Sequence, residues 1–316
     1  MLRLIGRRLL LSVVIIWLVS SIVFLATQAL PGDAARAILG KEATPDRLAA
    51  LQRQLGTDRP VTTQYVSWFM HLIHGDFGKS LANGESVTSY LRPLIENSMV
   101  LMILAAVFSS LIALIFGIWT AAKRDSVVDH ATTLVTLLLA ALPEFVIGVA
   151  LTWLFATGIF HLLPAVFTGT PGDPALAKPA QIVLPTLTLV LAVAPYLTRM
   201  LRGTTIEVLE TEYVQHARLK GLPERVVLLR HALPNALGPV IQVLALQFAW
   251  LIGGVIIVEY LFRFPGIGTA LVNAVTTRDL PVTQALAIFF GVFYVGVNLL
   301  ADIATLMLNP RARTAK

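Results

Sequence analysis

The chain has 316 residues, of which 56% are hydrophobic and only 13% charged. A soluble domain carries about 25% charged residues, so this composition argues against a protein whose whole surface faces water. The net charge of +6 is spread along the chain and makes no nucleic-acid footprint, and the absence of cysteine removes disulfides, thiolate nucleophiles and thiolate metal sites.

Arg3, Arg7 and Arg8 precede an apolar run, Leu9 to Ala29, that is long enough to cross a bilayer. The run is too long for a signal peptide and lacks a small-x-small cleavage site, so residues 1–30 read as a tail and a retained first span. Residues 31–97 form the longest polar stretch, with seven basic and seven acidic residues from Pro31 to Glu96. Short helices are predicted there. One is Thr44 to Leu55, with Pro45 at a first-turn position; the run Tyr65 to Ile73, with Trp68, Phe69 and Leu72 on one side, is expected at the membrane interface.

Residues 98–308 contain five further predicted spans, at 99–121, 131–156, 182–201, 241–258 and 282–308. A short charged loop holds Lys123, Arg124, Asp125 and Asp129. A Pro/Gly-rich loop runs from Gly158 to Lys178, and residues 202–239 are a second long polar segment. Glu259 to Pro281 reads as a loop, and 309–316 as a basic tail. The composition favours an all-α membrane protein over a barrel of alternating strands. Of the 24 Lys and Arg residues, fourteen fall on the side of the termini and of the 202–239 segment, and ten on the other. Seven of those ten lie in the long, internally neutral first loop. The positive-inside rule therefore places both termini and the 202–239 segment in the cytoplasm, and 31–97 outside.

Within 202–239 the charge order predicts a helix from Ile206 to Lys220, acidic at its start and basic at its end. Gly221 stops it, Pro223 opens a second helix, Glu224 to His231, and the product is a partly apolar helical hairpin. Such a projection suits either an interfacial linker or a docking knob for a soluble partner.

Gln215-His216-Ala217, Gly221, His231 and Leu233-Pro234 stand at fixed spacings. That spacing resembles the cytoplasmic signature of ATP-binding-cassette importer permeases: Glu-Ala-Ala, three residues, Gly, nine residues, Ile, one residue, Leu-Pro. Gln215, His216 and His231 depart from it. Ala217-Arg218-Leu219-Lys220-Gly221-Leu222 and Leu229-Arg230-His231-Ala232-Leu233-Pro234-Asn235-Ala236 are similar to the dipeptide/oligopeptide/nickel branch. So are Pro31-Gly32-Asp33, the run Gly75 to Ser80 and the run Glu259 to Gly268. The resemblance covers nearly the whole chain and favours the first-subunit type, with its long loop after span 1.

The resemblance implies the type I importer permease fold, with six spans and cytoplasmic termini, in a prokaryotic plasma membrane (the inner membrane of a Gram-negative cell). It implies one half of a pathway for peptides; nickel or glutathione are the alternatives. The implied partners are a second, paralogous permease subunit, two cytoplasmic ATPase subunits that use ATP and Mg, an extracytoplasmic solute-binding protein, and lipid. No cofactor or metal is implied for this chain, nor any enzymatic site: no GxxxxGK[ST] loop occurs. ATPase coupling is expected at Gln215, His216, Ala217, Arg218, Lys220, Gly221, Leu222, Pro223, Arg230, Leu233 and Pro234. A secondary transporter is the competing class, but no repeated halves are seen.

Inside the spans, Glu144 follows Pro143 where a kinked helix would line a pathway, and a carboxylate there is costly. Lining the pathway and pairing inside the bundle are both open for it. Glu259 and Asp302 lie nearer span ends and are expected at the interface. Asn97 and Asn298 are expected to bond between helices.

Overall fold

The computed structural model describes residues 2–29, 44–55, 58–170 and 172–308. Helix α1 (Leu2–Ala29) leads into two shorter helices, α2 (Pro45–Leu55) and α3 (Val61–Ile73). Then come α4 (Val87–Ala122), α5 (Val127–Ala141) and α6 (Glu144–Thr152). The chain continues through α7 (Pro179–Leu209), α8 (Glu212–Leu219), the three-residue α9 (Glu224–Val226), α10 (Leu233–Leu261), α11 (Ile267–Thr277) and α12 (Leu280–Leu308). No β-strand occurs among the described residues.

Four stretches are long and apolar enough to cross a bilayer: Gly6–Gln28, Val87–Ala122, Pro179–Leu209 and Leu280–Ile303. The bent pair α5–α6 makes a fifth if it is one broken span, and α10 adds a shorter apolar stretch, Leu246–Leu261. The protein is therefore a helical, multi-pass membrane protein. Helix α7 is the spine of the bundle, touching α4 along its length and also α5, α6 and α10. Its Leu184, Leu189, Leu197 and Leu201 are fully buried within this one chain. Helix α1 stands apart from that core and packs on α12. The Arg8–Asp302 ion pair joins the two at one end. At the other end Gln284 Nε2 donates to Thr27 Oγ1 (2.6 Å) and Gln284 Oε1 accepts from Trp68 (3.0 Å). Trp68 also lies 5.1 Å from Phe24, so α3 uses its aromatic side against α1 and α12.

Three sequence expectations need correction. Span 2, expected at 99–121, belongs to a 36-residue helix that begins at Val87. At 1.5 Å per residue α4 is about 54 Å long, well beyond the ~30 Å of hydrocarbon. Its first turns are stabilised by protein, because Val87, Leu91 and Leu94 pack on Ile267, Ala270 and Leu286 of α11 and α12. Span 3, expected as one helix over 131–156, is two helices meeting at 103°. Leu142 and Pro143 are both extended (ψ 133° and 145°). Proline disfavours the helical region for the residue before it, and that local clash sets the break.

The third correction concerns 259–281, which is mostly helix. α10 runs through Leu261, the chain turns at Phe262–Gly266, and α11 follows. Glu259, expected at the interface, is 0% exposed. Its carboxylate accepts from Ser98 Oγ and from the Gly268 N–H (2.7 Å), and Ser98 Oγ in turn accepts the Ile267 N–H (2.9 Å). A buried carboxylate is tolerable only with such partners. Here they satisfy orphan donors at the start of α11. The neighbouring Asn97 donates to the Asp173 and Pro265 carbonyls (3.1 and 3.0 Å) and accepts from the Ala175 N–H (2.8 Å). It ties α4 to two loop segments rather than to another membrane helix, whereas Asn298 donates to Tyr294 O of its own helix. In the same loop, hydrogen bonds from the Thr170 N–H and hydroxyl hold the Asp173 carboxyl below its ordinary range. Asp279, 3% exposed, accepts from Ser80 Oγ and from the Leu81 and Ala82 N–H groups, clamping that loop to the start of α12.

Gly268 is where the backbones come closest. A Cβ there would overlap the Ile256 main chain and lie 3.0 Å from Glu259 Oε2. Gly268→Ala should therefore destabilise the detergent-solubilised chain by about 1–3 kcal/mol. Gly253→Ala, whose Cβ would meet nothing within 4 Å, should be neutral or mildly stabilising. Thermal challenge followed by size-exclusion chromatography compares the two.

Candidate functional site

The hairpin joining α7 to α10 projects outside the spans. It lies at the end of the bundle that also holds the 123–129 loop, because Arg124 reaches Glu210 at 2.7 Å. The helix expected over 206–220 is interrupted: α7 stops at Leu209, and Thr211 is extended (φ −71°, ψ 149°) before α8 starts at Glu212. Glu212 opens α8, while His216 and Arg218 close it, which complements the helix dipole. Val214 and Ala217, three residues apart on one face, pack on Val227 with Val208 and Leu209.

The turn follows from its backbone bonds. The Gly221 N–H bonds Arg218 O (2.9 Å) and the Leu222 N–H bonds Ala217 O (3.4 Å), capping the end of α8. That cap puts Gly221 at φ +75°, which a Cβ resists. Pro223 is extended and opens α9, as the sequence predicts. Two further ties close the hairpin. Arg218 donates to both oxygens of Glu224 (2.8 and 3.2 Å). Tyr213 O–H donates to His231 O (3.1 Å), and Asn235 Nδ2 donates to both Tyr213 Oη and His231 O (2.9 Å each). The second arm, expected as a helix over 224–231, is α9 followed by a π turn, Val227–Ala232, that runs directly into α10.

The expected coupling residues divide into two groups. Gln215, His216, Lys220, Gly221, Leu222, Pro223, Arg230 and Pro234 are exposed. Ala217 is 6% exposed and Arg218 is partly covered, so these two hold the hairpin together, while the partly covered Leu233 packs beside Leu201, Ala236 and Val240 at its base. His231 contributes its main-chain oxygen. The apolar tip is Leu219, 82% exposed, beside Leu222, with Lys220, Glu224 and Arg225 around it. Sequence reasoning did not single out Leu219, although an apolar residue between Arg218 and Lys220 at a helix end was a usable signal.

The base of the hairpin carries an ion pair that sequence reasoning also missed. Arg202, in the last turns of α7, donates Nε and Nη2 to Asp129 at 2.6 and 2.7 Å. Asp129, 2% exposed, stands in the first turn of α5, whose N-cap Ser126 accepts the Asp129 N–H (3.3 Å). Removing Arg202, itself half-covered, would leave the buried Asp129 carboxylate unpaired, at a cost of up to about 3–5 kcal/mol.

The second candidate site is in the membrane. Pro143 forms the break between α5 and α6, and Glu144 is the first residue of α6. Its carboxylate is half-buried and faces Gly254 of α10, where an added Cβ would lie 3.9 Å from Oε1. Glu144 has no hydrogen-bond or ion-pair partner among the described residues. The hairpin and Glu144 are separate sites connected by α5, α7 and α10.

Two family models match the chain. One, described as "Binding-protein-dependent transport system inner membrane component", matches residues 113–314. The other, its membrane-component N-terminal part, matches residues 1–115. Similar proteins include the "Probable peptide ABC transporter permease protein y4tP" of Sinorhizobium fredii, 32% identical over 307 residues, 97% of this chain and 98% of that one. The "Glutathione transport system permease protein GsiC" of Salmonella choleraesuis is 33% identical over 313 residues, 99% of each chain. The protein of that name in Escherichia coli K12 is 32% identical over 317 aligned positions, 99% of each.

Gly221→Pro would force φ near −65° and remove the N–H that caps Arg218 O. Amides 212–226 should then lose hydrogen-exchange protection by about tenfold or more, while those buried in α7 keep theirs. Exchange mass spectrometry on the solubilised protein checks this.

Proposed function

The chain belongs to the family of binding-protein-dependent transport system inner membrane components, and from that premise we propose how its two candidate sites divide the work of import. It is a permease subunit of a binding-protein-dependent importer, a class whose work requires ATPase and binding-protein partners. In our reading six spans cross a prokaryotic plasma membrane, the inner one in a Gram-negative cell, and both termini are cytoplasmic. The distribution of basic residues supports that direction. α10 supplies the fifth crossing and the bent α5–α6 pair the third.

The hairpin then stands in the cytoplasm, and its tip enters a groove on an ATPase subunit. The observation that carries this reading is Leu219, an apolar side chain 82% exposed on a turn fixed by backbone caps and the Arg218–Glu224 bonds. Exposed apolar residues on a rigid projection suit helix-in-groove recognition. ATP and Mg are used by two such ATPase subunits and not by this chain. A second, paralogous permease completes the pathway, and an extracytoplasmic solute-binding protein delivers the solute. Leu219→Asp and Gly221→Pro should leave membrane insertion intact and abolish solute-stimulated ATPase activity in the reconstituted complex. Normal stimulation in both variants would sink this reading.

The solute we propose is a peptide, by likeness to relatives whose names specify peptide and glutathione transport. Glu144 supports it: an unpartnered carboxylate at a helix break inside a span marks a substrate path, and a peptide's terminal ammonium is its natural counter-ion. Glu144→Gln should lower kcat/KM for a peptide with a free amino terminus by about tenfold relative to its N-acetylated form. An unchanged ratio rules out that contact.

A further inference from the structure

We propose that the Asp129–Arg202 pair is the strut that makes α5, and with it the broken span carrying Glu144, follow the hairpin. The inference rests on reading the hairpin as the surface where the ATPase acts. The hairpin joins α10 directly through the π turn Val227–Ala232, so α10 needs no further link. α5 is different. It is not continuous with the hairpin and reaches it only through contacts with its neighbours.

Packing joins α5 to its neighbours only in part. A groove of about 380 Å³, open to the surface, runs between α4, α5 and α7, lined by Phe116, Val135, Leu139, Leu191 and Pro195 among others. Close-packed contacts transmit displacement, whereas an open groove yields to it. The Asp129–Arg202 contact has the opposite character. Two parallel bonds from one guanidinium to one carboxylate fix orientation as well as distance. Asp129 is anchored on its own side too, since its Oδ2 accepts the Asp125 N–H (3.0 Å). Arg202 lies seven residues before the end of α7, about 10 Å below the hairpin. Arg124–Glu210 adds a second, exposed link between the same two segments at 2.7 Å. Exposed pairs are weak, so the Asp129–Arg202 pair, whose carboxylate is buried and whose guanidinium is half-covered, carries the connection. Asp129 and Arg202 are thus positioning residues: they touch neither solute nor nucleotide.

The chain contains no cysteine, so paired spin labels can be placed in the otherwise native sequence. With labels at Leu134 on α5, 59% exposed, and at Glu207 on α7, the interlabel distance in the full complex should not change between nucleotide-free and nucleotide-bound states. In Asp129→Asn it should shift or broaden by about 2 Å or more between those states. Solute transported per ATP hydrolysed should fall by about tenfold or more, while co-purification with the ATPase persists. The charge swap Asp129→Arg with Arg202→Asp should recover most of that ratio, which also covers the case in which Asp129→Asn does not assemble. A wild-type ratio in Asp129→Asn, or an assembled swap that stays uncoupled, overturns the strut. Leu219→Asp separates this from the underlying reading. If that variant still binds and couples the ATPase, the hairpin assignment is what fails.

Discussion

A charged group drawn between helices in a membrane must find its partners inside the protein, and the ties this demands organise the bundle. Glu259 joins α10 to α4 through Ser98 and to the start of α11 through Gly268. Asp279 pins the loop before α4 to the start of α12. Asp129 joins the first turn of α5 to α7. The contacts to Ser98, Ser80 and Arg202 span 161, 199 and 73 residues, so each fixes a relation that helix packing leaves free to slide. Lipid supplies little drive for helices to associate, and polar ties and close packing of small residues take its place. Gly117 against Leu201 and Gly268 against Ile256 are the packing counterparts of these bonds.

Glu144 stands out against that pattern. It is the carboxylate at the break of a span, and it has neither an arginine nor a run of backbone donors. Its position owes more to the Leu142–Pro143 break than to any bond it makes. The bundle holds its structural carboxylates at the ends of helices, near turns and loop amides that supply donors. At the Leu142–Pro143 break between two apolar segments, the acid faces a glycine on α10 and is left without a protein partner among the described residues. That contrast separates a group that completes the fold from one available to a passing ligand.

Much of this was legible in the sequence. Long apolar runs marked α1, α4, α7 and α12, and Gly221 with Pro223 marked the hairpin turn, because those signals are local. The failures have a common physical cause. Val87, Leu91 and Leu94 lie too far apart to raise a hydropathy average, yet they bury on α11 and α12, so the helix starts about three turns early. Glu259 looked interfacial because its donors, Ser98 and Gly268, are supplied by the fold. Ala217 belonged to a signature and was read as part of a contact surface, but its burial against Val227 makes it part of the hairpin's own core. Asp129 and Arg202 are 73 residues apart, and no local pattern links them.

Magnitudes order these parts mechanically. Covering a leucine-sized tip contributes roughly 1.5–3 kcal/mol, whereas leaving the buried Asp129 carboxylate without Arg202 costs up to about 3–5 kcal/mol. On the proposed coupling, a contact between Leu219 and a partner would therefore give way before the contact between Asp129 and Arg202. The weaker element would sit at the surface and re-form with each closure of the partner, and the stronger one would sit inside and keep its geometry. A reversible outer contact in series with a permanent inner one would let a soluble partner move a membrane bundle without pulling that bundle apart.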